Sequence, residues 1–355
     1  MRSATSGALR RAVSMTSSLL VGAAMFAFAM ILCDGAGADG YKGKTVSVYV
    51  GATAGGTNDI AARLVGAHIG RHLGGEPNVV IKNLPGAGGR KLATYLYTVA
   101  PKDGTEFANM QRAIATESLL DPKIKHPFDV LKFTWIGSPS QEMLVCVVWH
   151  KAKVQTVEDL LSKDYVVAAA NSAGGEAMIV GVLNNLAGAR LRSIVGYSGG
   201  GEMNLAMQRG EVDGRCGLGW GAIKANYVQW LGTREMKVLI QFSREKSPDL
   251  PDAPSVYDLL KSDDDRKVLD LILATQRLGR PFAAPPGLSS ERTAALRAAF
   301  DQTMRDPVFI ADAERQKVDL QPLSGGEIDQ VLRNAYATPP PIVARAAKLG
   351  EGAAQ

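Results

Sequence analysis

Val46-Ser-Val-Tyr-Val50 empties into Gly51-Ala-Thr-Ala-Gly-Gly-Thr-Asn-Asp59, and a helical pattern runs on from Thr57 to about Leu73. Further along, Val79-Val-Ile81 leads into Asn83-Leu-Pro-Gly-Ala-Gly-Gly89, and a second helical pattern begins. An apolar run, a small-residue loop and a helix have therefore been used twice in succession. Glycine lets a loop take positive φ and lets backbone approach a ligand. The helix start that follows presents N–H groups without intrahelical partners, and its dipole favours negative charge. Two such loops at the carboxyl ends of neighbouring strands make an anion cradle, in the place where open α/β sheets bind ligands.

Around this stretch the chain is ordinary for a globular protein. It has 355 residues, 46% hydrophobic and 21% charged, enough for two domains with a sizeable core. The formal charge is +5, but residues 1–38 hold three arginines against one aspartate, which leaves +3 for the remainder. The basic residues are scattered without interleaved aromatics, so nucleic acid is not an expected partner. Residues 1–38 read as a secretory signal: Arg10 and Arg11 close a positive region, Leu19 to Cys33 is apolar but short for a membrane span, and Ala36-Gly37-Ala38 offers a small-x-small cleavage site. A retained N-terminal anchor is the alternative. With the signal removed, Cys146 and Cys216 are the remaining cysteines. An exported protein permits a disulfide between them without demanding one. Cys146, inside Met143-Leu-Val-Cys-Val-Val-Trp149, is read as a small buried hydrophobe.

On the first helix Ile60, Ala61, Leu64, Val65, Ile69 and Leu73 fall on one arc, which predicts the buried face. His68 and His72 lie on the same arc and are read as structural, since no third metal ligand has recognisable spacing. Arg112, at the end of the Phe107–Met110 run, is read as a solvated arginine, with a carboxylate partner as the alternative. A second strand–loop–helix series then begins. Tyr165-Val-Val-Ala-Ala-Ala170 enters Asn171-Ser-Ala-Gly-Gly175, and Leu191-Arg-Ser-Ile-Val195 enters Gly196-Tyr-Ser-Gly-Gly-Gly-Glu202. Val212 to Trp220 brings another strand to a glycine-rich end, and Met236–Phe242 is the last strand of this half. A charge run at Lys261–Arg266 starts a helix, Ile272–Phe282 returns the chain to the first half, and the tail is helical over 289–304, 307–316 and 326–336. The expected architecture is α/β with two lobes facing each other across a cleft.

The enzymatic readings fail individually. Lys91 holds the place of the third glycine of a dinucleotide fingerprint, and neither a Gly-Lys-Ser/Thr phosphate loop nor a Gly-x-Ser-x-Gly elbow is present. His68, His72, His126 and His150 all sit outside the loops, so a serine there would lack a base. The loops offer donors and little acid–base equipment, which favours binding without turnover.

Taken as an ordered set, Thr53-Ala-Gly-Gly-Thr-Asn-Asp59, Asn83-Leu-Pro-Gly-Ala-Gly-Gly89, Pro101-Lys-Asp-Gly104, Val195-Gly-Tyr-Ser-Gly-Gly-Gly201, Met207-Gln-Arg-Gly-Glu-Val-Asp213 and Leu250-Pro-Asp-Ala-Pro-Ser255 resemble one family. It is that of the Bug-type periplasmic receptors of tripartite tricarboxylate transporters, and the likeness covers nearly the whole chain after residue 38. The resemblance implies a two-lobed, Venus-flytrap binding protein of type II-like fold with a central sheet in each lobe. Residues 39–142 and 278–355 would form a discontinuous first lobe and 143–277 the second. It implies a monomer without cofactor or metal that passes a small carboxylate to membrane permease subunits. A ligand sensor for a two-component system and a secreted hydrolase are the other functions to weigh.

Carried onto this chain, Ala54, Gly55, Gly56, Thr57 and Asn58 with Gly86, Ala87 and Gly88 would hold the carboxylate through backbone amides. Asp59 would cap the helix and hold the loop in shape. Ser172, Ala173 and Gly174, with Ser198 and Gly199, would form the facing surface of the second lobe. This chain departs from the family at Arg90, where asparagine is usual, and at Gly217, where an aspartate is common. Trp220 nearby either meets the ligand or packs in the core.

Overall fold

The computed structural model describes residues 40–170 and 175–351. The signal reading of residues 1–38 and the expected ligand contacts at Ser172, Ala173 and Gly174 lie outside the described residues. Eleven strands among the described residues form two sheets.

The first sheet is built on β1 (Thr45–Val50), β2 (Asn78–Asn83) and β3 (Glu106–Asn109), with β1 parallel to both neighbours. Val46, Val48 and Val50 are fully buried and Ser47 nearly so, because β1 is flanked by β2 and β3 and covered on both faces. Each buried valine contributes on the order of 1.5–3 kcal/mol. β4 (Thr134–Ser138) closes the other side of this sheet. The second sheet contains β5 (Leu144–Trp149), β6 (Tyr165–Ala169), β7 (Leu191–Val195), β8 (Gly214–Gly219) and β9 (Met236–Phe242) in the order β7-β6-β8-β5-β9. β6 runs parallel to β7 and β8, and β5 runs antiparallel to β8 and β9. β5, flanked on both edges and covered on both faces, buries all six of its residues, Leu-Val-Cys-Val-Val-Trp.

The chain then returns to the first sheet. β10 (Phe282–Ala284) inserts antiparallel between β3 and β4, and β11 (Leu323–Ser324) adds an edge beside β4. The two crossings between sheets, 139–143 and 279–281, lie against each other. The Glu142 N–H donates to Gln276 O (3.0 Å), and the Arg280 N–H donates to Ser138 Oγ (3.0 Å). At Gly279, with φ +56°, a Cβ would sit 1.6 Å from Ser140 O, so the crossing admits no side chain there.

The helices follow the sequence pattern closely, with instructive differences. The first, Thr57–Ile69, is N-capped by Gly56 and not by Thr57, Asn58 or Asp59, and a 3-10 turn over Gly70–His72 ends it. Ile60, placed on the buried arc by spacing, is 38% exposed, because its side of the first turn faces a cleft and not the sheet. His68 bonds Asp312 (2.9 Å) on the helix Pro307–Arg315, and His72 bonds Asp306 (3.1 Å), the N-cap of that helix. The charge run at 261–266 leads into the helix Asp263–Leu278, capped by Ser262, whose hydroxyl accepts from Asp265 N.

Residues 278–355, expected to complete the first lobe, divide. β10, β11 and the helices through Tyr336 build on the first sheet, whereas the last helix, Pro340–Glu351, packs against the helices Gly175–Leu186 and Asp263–Leu278 as well as the short helix Glu117–Leu120 of the first half. Arg345 pairs with Asp265 (2.5 Å), and Gly181 lies so close to Leu349 O that a Cβ would approach it to 2.7 Å. One buried apolar cluster consequently runs from Leu92 and Leu96 through Leu269–Leu278 to Ile179 and Leu349.

Cys146 is buried as expected, but not as a free hydrophobe. It lies opposite Cys216 in the β5–β8 ladder, at a Cα separation of 4.0 Å, and the two form a disulfide. Facing positions of adjacent strands bring Cβ atoms to about 4.5–5.5 Å, so strand pairing supplies the proximity.

Candidate functional site

The register Val50↔Asn83 in the β1–β2 pair sets the two glycine loops side by side at one sheet edge. A carboxylate and an amide lock them together. Asp59, 2% exposed, accepts the Gly55 N–H (2.9 Å) from the first loop, Asn83 Nδ2 (2.8 Å) from the end of β2 and Arg63 Nε (2.9 Å) from its own helix. Asn83 Nδ2 also donates to Ala52 O (3.0 Å), and Arg63 Nη2 donates to Asn83 Oδ1 (3.2 Å). Asn58 turns its amide inward, donating to Met110 O (3.3 Å) at the end of β3. Asp59 thus closes the first loop from within the helix's first turn, where a negative charge also meets the positive end of the dipole.

The same bonds lower the Asp59 carboxyl to about 2, with Arg63 the largest cause and Gly55 and Asn83 adding to it against the opposing effect of burial. Its folded pKa lies below the unfolded value, so its stabilisation is present above about pH 4 and lost as pH falls towards 2. Asp59→Asn is expected to destabilise the protein by about 2 kcal/mol at pH 7, the scale of lost hydrogen bonds to a charged group. The variant's deficit should shrink in acid. Urea midpoints at pH 7 and pH 3 measure this, and an equal deficit at both would refute it.

In the second loop Ala87, Gly88 and Gly89 all take positive φ (+47°, +64° and +96°). Successive residues of this kind turn their N–H groups to one side and make an anion-binding concavity. Gly88 faces open space, with nothing within 4 Å of where a Cβ would stand, whereas a Cβ on Gly89 would strike Gln111. Gln111 Nε2 in turn donates to Gly51 O (3.2 Å), fixing the first loop's entry. Arg90, the departure next to this loop, is bound to Glu117 in a two-point ion pair and does not enter the cleft.

The second sheet presents its own loop end. Ser198 donates both its N–H (2.6 Å) and its hydroxyl (2.8 Å) to Glu202, so that side chain is already engaged. Gly199 is extended, and Gly199 and Gly201 both face open space. The helix Gly200–Arg209 starts there. Beneath its first turn lies Arg215 of β8, which the sequence reading passed over because an arginine within an apolar strand carries no spacing signal.

A cavity of about 320 Å³ joins the two halves. Thr57, Ile60 and Ala61 line it from the first helix, Trp220, Gly221 and Ala222 from the end of β8, and Glu142 and Arg280 from the crossings. Trp220 is 5% exposed and donates its Nε1 hydrogen to Asp249 (2.9 Å), so it is both a core residue and part of the cavity wall. Arg112 is not solvated alone: its guanidinium is paired with Glu142. Arg280 also went unnoticed in the sequence. Its guanidinium donates to Ser140 Oγ (2.8 Å) and has no ion pair among the described residues, and burial pulls it below its ordinary pKa. The site therefore combines backbone donors, a helix start and a half-buried cation with Glu142 in its neighbourhood. No histidine lines it among the described residues, His68 and His72 being tied to Asp312 and Asp306.

No family model matches the chain. A UPF0065 protein of Agrobacterium vitis is 24% identical over 283 residues, 77% of this chain and 75% of that protein. Among solved structures, a TctC solute-binding protein from Polaromonas superposes with a TM-score of 0.66 at 17% identity, covering 87% of this chain and 98% of that one. An R. palustris protein with adipate gives 0.55 at 19% identity, covering 87% and 97%. MatC from Rhodopseudomonas palustris with bound malate gives 0.53 at 20% identity, covering 86% and 98%. The resemblance read from the loops is borne out by this relative and these neighbours, and the fold is the two-lobed α/β fold of periplasmic solute-binding proteins.

Proposed function

We propose that this protein is an exported receptor that captures a small carboxylate between its lobes and hands it to the permease subunits of a tripartite tricarboxylate-type transporter. The observation that carries the reading is the left-handed run Ala87-Gly88-Gly89, exposed at Ala87 and Gly88 and clamped beside the first loop through Asp59 and Asn83. Backbone amides of Ala54–Asn58 and Gly86–Gly88 hold the anion. The Thr57 helix adds its positive end, and Arg280 adds a positive charge to the cavity wall. Ser198 and Gly199 face the ligand from the second lobe, as Ser172, Ala173 and Gly174 would, and Trp220 bounds it. Closure is a hinge movement about the crossings at 139–143 and 279–281.

Three further points support the reading. Of the fold neighbours, one is a solute-binding protein and two hold the dicarboxylates malate and adipate. The Cys146–Cys216 disulfide suits an oxidising compartment. Among the described residues the loops offer mainly backbone donors, and the Ser198 hydroxyl is turned to Glu202 in a pair that also takes the Ser198 N–H, which favours capture without turnover. A thermal-shift screen of the purified protein, stripped of co-purified ligand, against mono-, di- and tricarboxylates, aromatic acids and amino acids tests the proposal. A ligand that binds only the folded state raises the melting temperature. A rise with a carboxylate is expected, and silence with every anion would sink the receptor reading.

A further inference from the structure

Arg215 is 4% exposed, yet it has no ion pair among the described residues. Its Nη1 donates to Asn204 Oδ1 (2.6 Å) and to Gly200 O (3.3 Å). Its Nε is buried without any partner, and so is Nδ2 of Asn204 beside it. Nη2 also finds no hydrogen-bond acceptor among the described residues, and it lies 3.8 Å from where a Cβ on Gly200 would stand. The imbalance has a sign: two buried side chains in contact hold spare donors and lack acceptors. A buried guanidinium without a partner is expensive, and a half-satisfied polar pair more so than an apolar one. Glu176 and Tyr227 are near enough to favour its charge, but burial outweighs them and lowers its pKa.

The place of this cluster is as telling as its chemistry. It sits under the first turn of a ten-residue helix, Gly200–Arg209, whose N-terminus favours anions. Gly199 and Gly201, just above, face open space and leave the approach free of side chains. Glu202 of that turn is engaged with Ser198 and does not bond the guanidinium. The helix begins at the loop following β7, at the carboxyl end of the parallel pair β6–β7.

Resting on the receptor reading above, we infer that the ligand is a dicarboxylate, its first carboxylate held by the glycine loops of the first sheet and its second by Arg215 beneath the Gly200–Arg209 helix. The guanidinium offers Nη2 and, after a small movement of Asn204, Nε, which is the two-donor fork that suits a carboxylate. Arg215 is then what tells a dianion from a monoanion of the same length.

The test compares adipate with hexanoate, equal in carbon number, by titration calorimetry on the wild-type protein and on Arg215→Met and Arg215→Lys. Wild type is expected to bind adipate at least about tenfold more tightly than hexanoate. Arg215→Met should remove that preference by weakening adipate alone, and Arg215→Lys, which keeps a charge without the fork, should retain part of it. If Arg215→Met fails to fold, Arg215→Lys still decides the matter: an undiminished preference overturns the inference. Equal weakening of both acids by either variant assigns Arg215 to holding the loop and also overturns it. Neither acid binding to wild type, with other carboxylates also silent, overturns the receptor reading itself, and a wild type that binds both acids equally overturns only the dicarboxylate assignment.

Discussion

Replacing Gly88 with glutamate is expected to weaken carboxylate binding at least about 100-fold, or about 2.7 kcal/mol, while the protein remains folded. Two effects add. Gly88 holds φ +64° and ψ +21°, a left-handed conformation that costs an L-residue about 1–2 kcal/mol. Its missing side chain points into open space at the centre of the proposed cradle, so the glutamate would place its own carboxylate where the ligand's should lie. Gly88→Ala separates the two, because its Cβ meets nothing and only the backbone term remains. Ala87, already at φ +47°, shows that this loop tolerates an alanine in that region. The alanine variant should therefore lose about 1 kcal/mol of stability and little affinity. Calorimetry with circular dichroism as a folding control measures both. Glutamate and alanine variants that bind equally well would place the carboxylate elsewhere.

Much of this site was legible because its signals are local. A strand ending in Gly51–Thr57 and another ending in Pro85–Gly89 announce themselves through composition, and their shared sheet edge follows from the tendency of successive βα units to run parallel. What holds the loops together was not legible. Asp59 and Asn83 meet across 24 residues only because β1 and β2 adopt the register Val50↔Asn83, and no spacing rule encodes that contact. Ile60 illustrates the converse: its position on the helical arc was right, but the first turn projects beyond the sheet into the cleft, where the arc has nothing to bury it.

The two arginines were hidden for related reasons. Arg215 stands in Gly214–Gly219, where its neighbours read as a small-residue strand, and its meaning comes from Gly200 and Asn204 on a helix packed across that strand. Arg280 lies in the three-residue crossing that precedes β10. β10 itself spans three residues and owes its existence to partners on both sides, so neither its length nor its alternation gave a strand signal. The last helix, Pro340–Glu351, was missed beyond the tail pattern that ended near Tyr336, and its docking on the other half could come only from tertiary contacts.

Changing Cys146 and Cys216 together to alanine is expected to lower the unfolding free energy by about 4 kcal/mol and to leave ligand affinity within about twofold. The size follows from the loop that the bond closes. The cysteines are 70 residues apart, and the chain-entropy treatment of a crosslink at that separation gives about 4 kcal/mol at 25 °C. The segment so restrained includes β6, β7 and the helices Gly175–Leu186 and Gly200–Arg209, and with them Ser198, Gly199 and Arg215 of the proposed facing surface. Without the crosslink this surface depends on the β5–β8 ladder and its buried side chains for its alignment. That ladder remains, because its hydrogen bonds do not need the sulfurs, and the folded cleft should keep its shape. The expected signature is therefore a lower urea midpoint with an unchanged binding constant, seen also when the wild-type protein is unfolded in the presence of reductant. A double variant that unfolds at the wild-type midpoint would show that the bond contributes nothing. One that loses affinity along with stability would show that the β5–β8 pair sets the geometry of the cleft as well as its durability.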